Sequence, residues 1–138
     1  MEKINVIVSW EYDNYSACTD DYDNIGGIVI ATGKTIDILK KEFESALKFH
    51  IEGCLSDEDV LPQWVVSGDY EIEYIYGMSA LLKRLDGILT RSAIARATGI
   101  NERQLGHYAT GLRKPRQKQR DKIIDGLHKI SRELALVK

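Results

Sequence analysis

Cysteine is scarce in this chain. Cys18 and Cys54 are the only two, and no CxxC pairing accompanies them. That rules against a disulfide scaffold and predicts reduced thiols in a reducing compartment. Long hydrophobic runs are missing as well: the longest span a handful of residues, far short of a membrane crossing. The opening "MEKINVIVSW" alternates and carries two charges instead of a signal peptide's apolar block. A cytoplasmic protein is expected, with the Asn14-Tyr15-Ser16 glycosylation match idle. No low-complexity tract or internal repeat interrupts a composition of 43% hydrophobic and 29% charged residues, so neither disorder nor a fibre is expected. At 138 residues the chain is one ordinary domain or two very small ones.

What is present is an uneven charge. Residues 1–76 hold 5 lysines and arginines against 16 acids, a net of −11. Residues 77–138 hold 14 against 5, a net of +9, leaving −2 for the whole. A split that steep predicts two modules with different partners, 1–76 and 77–138, hinged at Gly77.

The pattern of side chains changes at the same place. In the first half, "INVIVSW" alternates Ile4, Val6 and Val8 against Asn5, Ile7 and Ser9, and "NYSACT" follows a short turn at Asp13-Asn14. "GGIVIATG" reads as a third strand, buried on both faces. From Thr35 the period lengthens: Ile36, Leu39, Phe43, Leu47, His50 and Cys54 form the stripe of an amphipathic helix, with Thr35 as its N-cap. "LSDEDVLPQWVVSGD" reads as a long connection and "YEIEYIY" as a fourth strand, giving the order βββαβ. The second half reads as all helix, ending in a long one whose stripe is Ile123, Leu127, Ile130 and Leu134. The fold class is therefore α+β, a βββαβ module followed by an all-α module.

Several catalytic and ligand motifs fail on spacing. "ATGKT" has the tail of a phosphate-binding loop, but the first glycine should fall at Ile28 and Gly27 misses it by one. "DYDNIG" begins like a calcium loop, yet its fifth position is Ile25 and its twelfth Thr32. Asp20, Asp21 and Asp23 crowd one turn with no matching acid on a neighbouring strand, which suits a solvated loop better than a magnesium nuclease. His50, His107 and His128 are too scattered for a metal site, and His50, on the apolar stripe, reads as a satisfied half-buried side chain. No catalytic residue, metal site or cofactor is predicted, and the chain is not expected to be an enzyme.

One segment carries a positive signal, "RSAIARATGINERQLGHYATGLRKPR". Ala95 offers a small side chain where two helices would cross, Gly99 can take the positive φ of a turn, and Asn101 can cap the next helix. Ile94, Ile100, Leu105 and Tyr108 fall where a tri-helical core wants apolar groups. Glu102, Arg103, Gln104 and His107 are left facing outward from the N-terminal half of a helix, as base-reading side chains do. Arg103 suits guanine and Gln104 adenine. This spacing is similar to the helix-turn-helix of the lambda-repressor/Cro class. The resemblance implies backbone contacts from Ser92, Asn101, Arg113, Lys114, Arg116 and Lys118, with Arg120 just beyond.

Taken whole, the chain resembles a HicB-type antitoxin. The resemblance rests on the βββαβ order, on "GGIVIATGKTIDILKKEFESALKFHIEG", and on a C-terminal DNA-binding module. It departs from the family at Gly26-Gly27-Ile28, where a proline-glycine pair is frequent, and in the insertion "SDEDVLPQWVVSGD". The resemblance implies a curtailed ribonuclease-H-like first module without catalysis, which masks a HicA-type mRNA-cleaving toxin. It also implies a second module that represses the operon from operator DNA, as a homodimer or higher oligomer. The charge split fits: a nuclease that holds RNA phosphates is basic, and an acidic module would attract it. The same second half is compatible with a repressor whose first module senses a small molecule.

Overall fold

The computed structural model describes residues 1–20 and 22–138, the side chains of residues 22 and 23 excepted. Asp21 and the side chain of Asp23, weighed above for magnesium and calcium, lie outside the described residues. The chain forms two compact units, Met1–Gly77 and Met78–Lys138. The divide falls one residue after the expected boundary. Gly77 belongs to the first unit, because its N–H bonds to Val8 O at 2.8 Å.

The first unit is α+β. Its elements are β1 (Glu2–Glu11), β2 (Asn14–Thr19), α1 (Tyr22–Ile25), β3 (Ile30–Gly33), α2 (Ile36–Ser56), α3 (Gln63–Val66) and β4 (Tyr70–Tyr76). The strands make one mixed sheet in the order β3-β2-β1-β4, antiparallel except for β1 with β4. The expected strands and long helix are present. The single-turn helices α1 and α3 are additions, too short to carry a periodic signal. Alternation in β1 and β2 puts Ile4, Val6, Val8, Tyr15, Ala17 and Thr19 on the buried face, with α2 contributing Leu39, Phe43, Leu47, Ile51 and Cys54. Phe43 meets Tyr74 of β4 edge to face at 6.1 Å. Thr35 caps α2, its side chain accepting from Ile38 N at 3.2 Å. Gly33 is required by contact: a Cβ there would stand 2.6 Å from Leu39 N.

Two expectations are corrected. The hairpin turn is Tyr12-Asp13, not Asp13-Asn14, because Glu11 pairs with Asn14 and the two turn residues take φ of 52° and 60°. Positive φ at both positions is the geometry that matches strand twist in a two-residue loop. The run "GGIVIATG" is not a doubly buried strand. Only its last four residues join the sheet, as an edge, and Ile28 and Ile30 are exposed while Val29 is buried.

The second unit is all helix: α4 (Met78–Leu85), α5 (Arg91–Thr98), α6 (Glu102–Ala109) and α7 (Gln117–Leu134). Met78, Leu82, Ile94, Ile100, Leu105, Tyr108, Ala109 and Ile123 form its core. Ala95 is half-buried against that core, and a tight approach of α7 to α5 lies at Gly126. A Cβ on Gly126 of α7 would stand 2.5 Å from Thr98 Cγ2 and 2.9 Å from Ala97 O. The stripe of α7 is covered only at its start. Leu127, Ile130 and Leu134 line an open apolar cavity of about 370 Å³ with Leu81, Leu85 and Ile88.

Candidate nucleic-acid interface

Helices α5 and α6 are held by caps that the sequence encodes locally. The Thr90 hydroxyl accepts from Ala93 N at 3.0 Å. Gly99, at φ 75°, ends α5 in the left-handed region, its N–H on Ala95 O. Asn101 caps α6 through a 2.8 Å bond from Gln104 N. The buried Thr98 hydroxyl secures the turn between them, donating to Ile94 O at 2.7 Å and accepting from Ile100 N at 3.3 Å. Burial of Ile94, Ile100, Leu105 and Tyr108 then determines which side of α6 faces out.

Glu102 and Arg103 are exposed on that side. Gln104 is half-buried, and its Nε2 donates to the Tyr108 hydroxyl at 2.8 Å. The amide is thus held by its neighbour one turn on. His107 is also half-buried. Its Nδ1 is enclosed without a partner, and its carbonyl accepts from Arg113 N at 3.2 Å, which ties the following loop to α6. Beyond Gly111 (φ 79°), Arg113, Lys114 and Arg116 are exposed. They line one open pocket of about 490 Å³ together with Gln104, Tyr108 and Gln119. A polar side chain of α6 and three cations on the following loop therefore face a common space.

The remaining candidates are placed differently. Asn101 is exposed, but its side-chain oxygen serves the helix cap. Ser92 is half-buried, and its hydroxyl accepts from Arg96 Nη1 at 2.9 Å. Lys118 is exposed in the first turn of α7 and does not line the pocket. Sequence reasoning missed Gln119, whose Oε1 is buried without a partner at the pocket wall. No sequence signal marks it. It also assigned Tyr108 to the core alone, although the Gln104–Tyr108 spacing of four residues places the two side chains together on a helix.

Among the described residues of the first unit, nothing comparable is built. His50 Nε2 donates to Ile25 O at 2.7 Å, with Cys54 Sγ 3.5 Å from the same nitrogen. Burial, then the Asp59 and Asp57 carboxylates, push the Cys54 thiol up, the reverse of what a nucleophile needs. The pair closes the Gly26-Gly27 turn, where a Cβ on either glycine would come within 3.3 Å of Cys54 or His50. In "ATGKT", Lys34 Nζ is turned to Asp13 O at 2.9 Å. Among the described residues no three metal-binding side chains cluster, and no helix is long and apolar enough to cross a membrane. Compared with family models, curated proteins and solved structures, the chain has no match.

Proposed function

We propose that the chain is an antitoxin and repressor of the HicB type. The unit Met78–Lys138 reads operator DNA, and the unit Met1–Gly77, curtailed ribonuclease-H-like in this reading, sequesters a basic HicA-type mRNA-cleaving toxin. The observation that carries the DNA half is the convergence of Gln104 with Arg113, Lys114 and Arg116 around one pocket, on the unit with net charge +9. Arg103 and Gln104 of α6 meet base edges in the major groove, while the loop cations and Lys118 lie along phosphates. Tyr108 acts through Gln104 as a positioning residue.

The toxin half is supported by the resemblance of the first unit and by its charge. A net of −11 over residues 1–76 repels nucleic acid and attracts a protein built to hold it. A homodimer on two symmetric half-sites follows from the small footprint of one helix-turn-helix.

Operator titration tests the first half. With Arg113, Lys114, Arg116 and Lys118 on phosphates in each of two copies, log K should fall against log salt with a slope of roughly −7. Arg103→Ala with Gln104→Ala should cost about 1–3 kcal/mol per lost base contact and erase preference for the operator over random DNA. Preference left intact would remove α6 from the reading. For the second half, the full chain should co-purify with a small basic protein encoded beside it, and no such partner would sink the toxin assignment.

A further inference from the structure

Strand register produces a feature on the uncovered face of the β-sheet that no single segment displays. Ile30 of β3 pairs with Cys18 of β2, Cys18 with Ile7 of β1, and Ile7 with Ile75 of β4. These four side chains form one unbroken apolar row across every strand. With strands about 4.8 Å apart, the row is about 14 Å long. Ile30, Ile7 and Ile75 are 60%, 38% and 37% exposed, whereas Val6, Val8 and Ala17 on the opposite face are fully buried. The open face of a half-covered antiparallel sheet is ordinarily polar. Here the other open-face positions obey that rule. Ser9, Ser16 and Thr32 make a hydroxyl row on one side. On the other lie Asn5 beside Glu73, then Lys3 beside Glu71, with Asp20 at the end of β2. The strand cation among these, Lys3, is bound to Glu73 at 3.2 Å.

We propose that this row and its acidic border form the docking surface for a basic partner protein, which seats an apolar ridge on Ile30, Cys18, Ile7 and Ile75 and sets lysines or arginines against Glu71, Glu73 and Asp20. The inference rests on the reading of the first unit as the toxin-binding half and assigns it a face. Opposite charge is what the border selects. Two copies pairing the same face would bring Glu71, Glu73 and Asp20 against their own kind, which opposes an isologous dimer. Nucleic acid is opposed for the same reason. The apolar row contributes affinity and the carboxylates contribute approach and orientation.

The test uses the full chain and the small basic protein encoded beside it. Cys18 lies in the row and is half-exposed while Cys54 is buried, so a maleimide reports on the face. Complex formation should protect Cys18 from the reagent. Ile7→Thr with Ile75→Thr, which keeps β-branching, should raise the Kd for the basic protein by roughly tenfold or more. Operator affinity and circular dichroism of the double variant should not change. If the complex forms with Cys18 as reactive as in the free chain and the double variant binds normally, the face is wrong and the antitoxin reading survives. If the basic protein does not bind the wild-type chain, both fall. Protection of Cys18 that instead grows with concentration of the chain alone would make a second copy the occupant and overturn the assignment.

Discussion

Replacing Gly126 by alanine asks which of two opposing effects prevails. Gly126 lies inside α7, where alanine is favoured over glycine by about 1 kcal/mol of helix propensity. Against that, the new Cβ would stand 2.5 Å from Thr98 Cγ2, 2.9 Å from Ala97 O and 3.0 Å from Thr98 Cα. Carbon atoms in contact sit about 3.5–4.0 Å apart, so the two helices must part by about 1 Å. Rotating Thr98 away does not relieve the clash, because two of the three atoms belong to the backbone. Rotation would also break the bonds that the Thr98 hydroxyl makes to Ile94 O and from Ile100 N. Overpacking of this kind costs about 1–3 kcal/mol, and backbone contacts place it at the upper end. The net is a loss of about 2 kcal/mol, or roughly 8–16 °C in Tm for a unit of this size. Gly106→Ala in α6 is the control: its nearest neighbour would be Arg91 Nη1 at 3.9 Å, ordinary contact, so propensity alone acts and the unit gains stability. Thermal unfolding followed by circular dichroism reads both. Tryptophan fluorescence, confined to the first unit by Trp10 and Trp64, should stay unchanged. If Gly126→Ala raises Tm as Gly106→Ala does, the close approach of α5 and α7 is refuted.

Three further outcomes concern the first unit. The Tyr74 hydroxyl is buried with no partner, so Tyr74→Phe should stabilise the unit by about 1 kcal/mol in urea unfolding followed by tryptophan fluorescence. Burial, then the Glu44 carboxylate, push the Tyr74 phenol from 10.0 up to about 12. A folded value above the unfolded one means that the phenol's contribution is complete below pH 10.0 and is lost as pH rises through about 12. Tyr74→Phe should therefore flatten the alkaline fall in stability, and an unchanged fall would clear Tyr74 of causing it. In the hairpin, Tyr12→Asn with Asp13→Gly should add about 1–2 kcal/mol, because both positions have positive φ and asparagine-glycine accepts that geometry with least strain. A lower Tm would show that the turn is held in another conformation.

Much of the candidate interface was legible because its signals act over three or four residues. The caps at Thr90 and Asn101, the left-handed Gly99 and the apolar spacing of Ile94, Ile100, Leu105 and Tyr108 all operate within a turn or two of helix. Their physics is complete in the local segment. Arg113, Lys114 and Arg116 were recognisable as cations on a loop, but their meeting with Gln104 was not, since it depends on how the loop folds back on α6. Gln119 reaches the same pocket from the next helix and has no local mark.

The charge division, the strand alternation and the stripe of α2 are likewise properties of the chain read in order, because side-chain period follows directly from backbone geometry. Tertiary structure alone decided that β4 runs parallel to β1 across the sheet from β3, and that Gly126 touches Thr98. It alone put Ile30, Cys18, Ile7 and Ile75 in one row. Each joins residues far apart in sequence. Strand register and helix approach are set by the packing of a whole unit, and a single residue's slip in register would have scattered that row between two faces.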